Sequence, residues 1–215
     1  METVISFLIG YFFGSFPTAF IVIKRKTGLD ITQNGTGNVG AHNSFDVSKS
    51  KRIGLLVLFI DLLKGLIAVY LVRLFFGENF LYEMIALVAA VFAHCYSPWI
   101  KFKGGRGLAT AAGGALILSI PILIIWGVIW TIAYIFRRNI HFANSSATLL
   151  SAVLAFTSSN ILSKYTNPQP SSELQFSILL VILFAIILSK HIQPLKEYFI
   201  SQQNKKLKEQ KDESI

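Results

Sequence analysis

Two glycine-rich segments carry polar residues at a spacing that suits phosphate chemistry. Gly35-Thr36-Gly37-Asn38-Val39-Gly40 has the spacing G-x-G-x-x-G. Closely spaced glycines let backbone N–H groups converge, and such a nest holds a phosphate oxygen or an oxyanion. The same glycines could instead only relieve φ strain in a tight turn. A dinucleotide-binding reading would need a preceding strand and a βαβ unit, and here an apolar run and a basic stretch come first. Lys103-Gly104-Gly105-Arg106-Gly107 is the second segment, with two cations, and it opens into the small-residue helix start Leu108-Ala109-Thr110-Ala111. Free amides at a helix N-terminus beside Lys and Arg form an anion trap; the alternative is a lipid-headgroup anchor.

Other polar residues stand inside or beside apolar runs. Asp61 and Lys64 lie at i and i+3 on one helical face. A lone charge there costs a few kcal/mol on insertion scales, so the two are expected to pair inside the bundle. Either they specify packing, or Lys64 supports a phosphate pocket. His94 and His191 stand near the ends of apolar runs and are either general bases or satisfied interface groups. Ser145 follows Asn144 near a helix start and is either a substrate contact or a cap. His42 and Asp46 have three residues between them, one fewer than the His-x-x-x-x-Asp box of common glycerolipid acyltransferases, which excludes that mechanism. Cys95 is the only cysteine, so neither an intramolecular disulfide nor a multi-cysteine metal site is available. No metal and no cofactor is expected.

The elements that must position these residues lie in a membrane. Of 215 residues 53% are apolar and 14% charged, against about 25% charged in soluble domains. Apolar runs cover Thr3–Ile23, Ile53–Phe76, Leu81–Ile100, Leu108–Phe136, 142–162 and Leu174–Ser189, several near the roughly 20 residues that cross a bilayer as helix. The run 108–136 is long for one crossing; a turn near Ser119-Ile120-Pro121 makes it two. Seventeen of the 20 Lys and Arg then share one side. The positive-inside rule therefore favours seven spans, N-terminus out and C-terminus in. The formal charge of +9 reads as this orientation signal, with no nucleic acid as partner. Met-Glu at the start, without a basic segment before the first run, reads as a retained span. The fold expected is an all-α helical membrane bundle. Residues 24–52 are expected to be a long polar loop, and 201–215 a charged cytoplasmic tail on a single membrane domain of residues 1–200.

Together the segments resemble the acyl-phosphate-dependent glycerol-3-phosphate acyltransferases of bacterial membranes, the PlsY type. Gly14-Ser15-Phe16-Pro17 is similar to G-S-x-P, Gly35 through Asn43 to G-S-G-N-x-G-A-T-N, and Asp61-Leu62-Leu63-Lys64-Gly65 to D-x-x-K-G. The longest signature is matched by His94 through Pro98 and Phe102 through Thr110. The resemblance implies acyl transfer from acyl phosphate to a hydroxyl of glycerol 3-phosphate, giving lysophosphatidic acid, in the bacterial cell membrane with the site toward the cytoplasm. It implies catalytic roles for Thr36, Asn38, Lys103 and His191. Substrate contacts follow at Gly37, Gly40, His42, Asn43, Lys64, Gly104, Gly105, Arg106, Gly107, Thr110 and Ser145. The partners implied are the two substrates and the lipid bilayer, with a monomer as the working unit.

The chain departs from the pattern at four places. Thr36 stands for the family serine, and His42 for its threonine. Asp46 stands where an arginine is expected, an inverted charge near a phosphate site. Of the terminal H-R-x-N-I only His191 survives, with Pro194 at the asparagine position. A different acceptor, or a transporter or binding protein for an organic phosphate, is the rival reading. The lack of an internal repeat counts against transport.

Overall fold

The computed structural model describes residues 1–212, and among them it is all helix with short connections. The expected tail residues 213–215 lie outside the described residues. In chain order the helices are α1 (Glu2–Ser15), α2 (Thr18–Thr27), α3 (Ala41–Ser48), α4 (Lys51–Phe76), α5 (Phe80–Cys95), α6 (Leu108–Leu118), α7 (Ile120–Arg137), α8 (Ile140–Thr157), α9 (Ser159–Leu162), α10 (Glu173–Ser189) and α11 (Ile192–Asp212).

Proline and serine punctuate the first and fourth apolar runs. Pro17 has no N–H to donate and forces Phe16 into an extended conformation, so α1 ends and α2 begins across it. Ser119, with φ −166°, separates α6 from α7, and Pro121 sits in the first turn of α7. That is the break expected at Ser119-Ile120-Pro121. Five helical stretches are long and apolar enough to cross a bilayer, and α10 with α11 makes a sixth if that pair, bent by 50°, counts as one. At 11 residues α6 is a half-length helix, about 16 Å at 1.5 Å per residue. The fourth expected span, the first half of the run 108–136, is therefore too short to cross alone.

Two boundaries differ from the sequence reading. Residues 24–52 are not one loop, because α3 forms in their middle from Gly40 onward, where an extended N-cap residue lets the next turn close. The second is at residues 200 and 201, where α11 runs on without interruption, so that the described part of the charged tail is helical and continuous with the residues before it.

Close backbone approach holds the bundle together. A Cβ at Gly10 or Gly14 of α1 would run into the Ala86 or Ala90 backbone of α5, and one at Gly65 of α4 into the Thr110 carbonyl of α6. Small residues serve this purpose in membranes, where lipid gives helices no hydrophobic reason to associate. By contrast α7 buries only Ile122 fully. It docks on α8 through indole hydrogen bonds from Trp126 to Thr148 (3.1 Å) and from Trp130 to Asn144 (2.6 Å).

At the end of the bundle away from the glycine-rich segments, Arg73 donates to both carboxylate oxygens of Glu83, at 3.0 and 2.8 Å, and to the Asn167 carbonyl at 2.6 Å. Glu83 is fully buried. Removing the cation strands that carboxylate, at a cost of about 3–5 kcal/mol. Arg73→Met should therefore lower the thermal midpoint in detergent markedly, with Glu83→Gln restoring part of the loss. An unchanged midpoint would show that the pair contributes nothing net.

Candidate active site

The segment between α2 and α3 is held by one side chain. Asn43, fully buried on α3, accepts from the Thr36 amide at 2.9 Å through Oδ1. Its Nδ2 donates to the carbonyls of Asn38 (2.9 Å), Asn34 (3.0 Å) and Ile31 (3.4 Å). Gly35 and Gly37 take positive φ, +62° and +70°, and a Cβ on Gly35 would collide with Asn43 Oδ1. The fold consumes the amides here: Thr36 N–H goes to Asn43, Gly37 N–H to the Asn34 carbonyl (3.2 Å) and Asn38 N–H to the Thr36 hydroxyl (3.4 Å). Much of the expected amide nest is thus spent on the protein itself, and among the described residues only the Gly35 and Gly40 amides of this motif meet no acceptor. Asn43 likewise has no group left for a substrate.

The second segment is pressed onto the end of α5. Gly105 donates its amide to the His94 carbonyl (3.0 Å), and a Cβ there would strike the His94 ring. Gly104 packs as closely on the carbonyls of His94 and Cys95. Val39 N–H donates to the Gly104 carbonyl at 3.3 Å, joining the two glycine-rich segments. Gly107, at φ +83°, is the residue before α6. Among the described residues the amides of Arg106 and Gly107 meet no acceptor in the protein, which leaves them and the first turn of α6 free for an anion.

Between the segments and the start of α11 lies an open cleft of about 560 Å³. Thr36, Asn38, Lys103 and Arg106 line it, with His141, Lys190, Gln193 and Glu197 opposite. Lys103 is exposed. The carboxyl of Asp30 is held below its ordinary value first by the Thr32 amide and hydroxyl and to a lesser degree by Lys103. Arg106 is half-buried, and its one side-chain hydrogen bond among the described residues runs from Nη1 to His141 Nδ1 at 3.2 Å. Burial pulls its guanidinium below the ordinary value, and Glu197 pulls it back; it remains a cation near neutrality. Lys190 lies over the Tyr96 ring, 4.6 Å from the centroid, and Gln193 donates to Glu197 at 2.9 Å.

Several expected site residues are elsewhere. Lys64 donates to Asp61 Oδ1 (2.7 Å) and to the Phe16 carbonyl (2.6 Å), and it faces an apolar groove with Phe12, Phe13 and Trp99. The pair forms inside the bundle as expected, and the cation is spent on α1. His191 is 1% exposed, with Nδ1 on the Ile187 carbonyl at 2.8 Å and Nε2 without a partner. In this arrangement no substrate hydroxyl reaches it. Thr110 and Ser145 are buried with unpartnered hydroxyls. Ser145 is no cap, since Asn139 caps α8 by accepting from Phe142 N–H (2.9 Å). Gly40 is the buried N-cap residue of α3.

His42 and Asp46 find each other on successive turns of α3, Nε2 to Oδ2 at 3.4 Å, and neither lines the cleft. Asp46 thus turns to the neighbouring departure, His42, and stands outside the cleft. Asp46→Asn should change the KM for a phosphate-bearing acceptor less than about twofold, as exposed pairs are worth little. A larger, salt-sensitive drop in KM would put Asp46 back at the site.

Sequence reasoning did not pick out His141, Lys190, Gln193 and Glu197. Lys190 adjoins His191 in the chain, and His141 follows the Arg137-Arg138 pair at a helix start, signals that were present but not specific.

Comparison with known proteins bears on what this cleft does. Residues 4–200 match the family model described as glycerol-3-phosphate acyltransferase. A glycerol-3-phosphate acyltransferase of Helicobacter acinonychis is 32% identical over 204 residues, covering 88% of each chain. One of Wolbachia pipientis from Culex pipiens is 34% identical over 156 residues, 73% of this chain and 81% of the other. Two crystal structures of PlsY, an integral membrane glycerol 3-phosphate acyltransferase, share the fold. The glycerol 3-phosphate form has TM-score 0.77 at 25% identity, covering 94% of both chains. The lysophosphatidic acid form has TM-score 0.75 at 23% identity, covering 94% of this chain and 93% of the other.

Proposed function

This chain belongs to the glycerol-3-phosphate acyltransferase family, and on that premise we propose that its cleft moves a fatty acyl group from acyl phosphate to a hydroxyl of glycerol 3-phosphate, giving lysophosphatidic acid. The observation that supports this most is the cleft itself. It collects Lys103, Arg106 and Lys190 on one surface, with Thr36 and Asn38 beside them.

The chemistry asks for two anion sites and a place for transient charge. The acceptor hydroxyl attacks the acyl carbon, the C–O bond to phosphate breaks, and the hydroxyl proton ends on the released inorganic phosphate. Lys103 suits the leaving phosphate, being exposed, cationic and one residue before the loop that opens α6. Arg106 and Lys190 suit the acceptor phosphate. The Asn38 side chain, which lines the cleft, donates from Nδ2 to the carbonyl oxygen as it gains charge. Thr36 presents its hydroxyl to the cleft and steadies the loop by accepting from the Asn38 amide. The basic segments and the cleft face the cytoplasm of a bacterial cell membrane, in keeping with the distribution of Lys and Arg. The working unit is the monomer.

The donor is tested with purified protein in lipid vesicles, supplied with glycerol 3-phosphate and either an acyl phosphate or an acyl thioester of the same chain length. Lysophosphatidic acid should form from acyl phosphate alone. Equal rates from the thioester would remove acyl phosphate as the specific donor.

A further inference from the structure

His141 was singled out neither by its spacing nor by the family motifs, yet among the described residues it is the sole side chain bonded to the Arg106 guanidinium. We propose that His141 is a positioning residue for Arg106, its unprotonated Nδ1 fixing the guanidinium over the anion cleft. A guanidinium only donates, so at 3.2 Å Nδ1 must accept. The ring is then neutral, with its proton on Nε2. The placement supports that form, because His141 is the second residue of α8 and the positive end of a helix dipole disfavours an imidazolium. No carboxylate among the described residues lies within ion-pair distance of Arg106. Without His141 the long side chain would have nothing to hold one rotamer, and a fork used on phosphate loses its value when its direction is free.

Protonation would set an N–H against an N–H and a second positive charge beside the first. The charged and titratable groups around His141 are Arg106 from the loop before α6, His42 from α3, Glu197 from α11 and His191 from the α10–α11 bend. Glu197 alone among them favours the imidazolium.

The inference rests on the cleft being the acceptor phosphate site, so acylation of glycerol 3-phosphate by the wild type is the control, and its absence would sink both. Given that control, H141A should raise the KM for glycerol 3-phosphate about tenfold with kcat within about twofold, the size expected for one charge-assisted hydrogen bond. H141N should stay near the wild-type KM, since its Oδ1 stands where Nδ1 stood. In an R106Q background H141A should add nothing, because the two act as one unit. An unchanged KM in H141A, or the same effect with and without Arg106, overturns the inference. Should H141A not fold, the pH profile decides. The wild type should lose kcat/KM on acidification through a limb that H141N lacks, and a limb retained in H141N overturns it.

Discussion

Lys103→Ala is expected to lower kcat for acyl transfer about a thousandfold, the upper range for losing one preorganised stabiliser of developing charge, while the protein stays folded. Lys103 is exposed at the cleft wall and contributes nothing to the core. Its loop is fixed by backbone bonds that do not involve the ammonium group: Ser97 N–H to the Lys103 carbonyl (3.1 Å), Lys103 N–H to the Ile100 carbonyl (3.2 Å) and Gly105 N–H to the His94 carbonyl (3.0 Å). Truncation should therefore leave the thermal midpoint within a degree or two of wild type. Lys103→Arg should recover part of the rate, since charge is retained and geometry is not. Steady-state rates with acyl phosphate, set beside thermal unfolding of the same preparations, separate the two effects. Wild-type-like turnover in Lys103→Ala would remove this loop from the chemistry.

The second large effect is expected at Asn43, for the opposite reason. Its amide makes four hydrogen bonds to backbone, each worth about 0.5–1.5 kcal/mol. Asn43→Ala should cost stability and collapse the 31–38 segment that carries Thr36 and Asn38. Activity should fall at least about a hundredfold, with a lowered thermal midpoint. Asn43→Asp is the sharper probe, because it keeps an acceptor for Thr36 but turns a second oxygen toward three carbonyls. It should be no better than alanine. A protein of unchanged midpoint with only a raised KM would mark Asn43 as a substrate contact and contradict the positioning role.

The fold was legible where chemistry punctuates the chain. The Ser119-Ile120-Pro121 break was read directly, whereas the break at Pro17 was not, because the apolar run 3–23 continues across it and reads as one span. The glycine-rich segments were legible as special, and both line the cleft; their motif order carried the family. Helix α3 was not, because eight mostly polar residues in a basic stretch show no apolar periodicity; its stability comes from Asn43 and Ser44 turned inward. Lys64 was read correctly as paired with Asp61, but its reach to the Phe16 carbonyl depends on α1 breaking beside it, 48 residues away. His141 and Glu197 come from separate helices and line one cleft with Arg106 only in three dimensions. Nothing in their local sequence distinguishes a cleft wall from an interface.

The claim that this cleft transfers an acyl group from phosphate to glycerol 3-phosphate is tested most directly by phosphorus NMR of one reaction mixture containing purified protein, an acyl phosphate and glycerol 3-phosphate. The account predicts that the acyl phosphate and glycerol 3-phosphate signals decay together while inorganic phosphate and lysophosphatidic acid appear in equal amounts, with no such change for Lys103→Ala. Inorganic phosphate released without lysophosphatidic acid, or no conversion by the folded wild type, would contradict it.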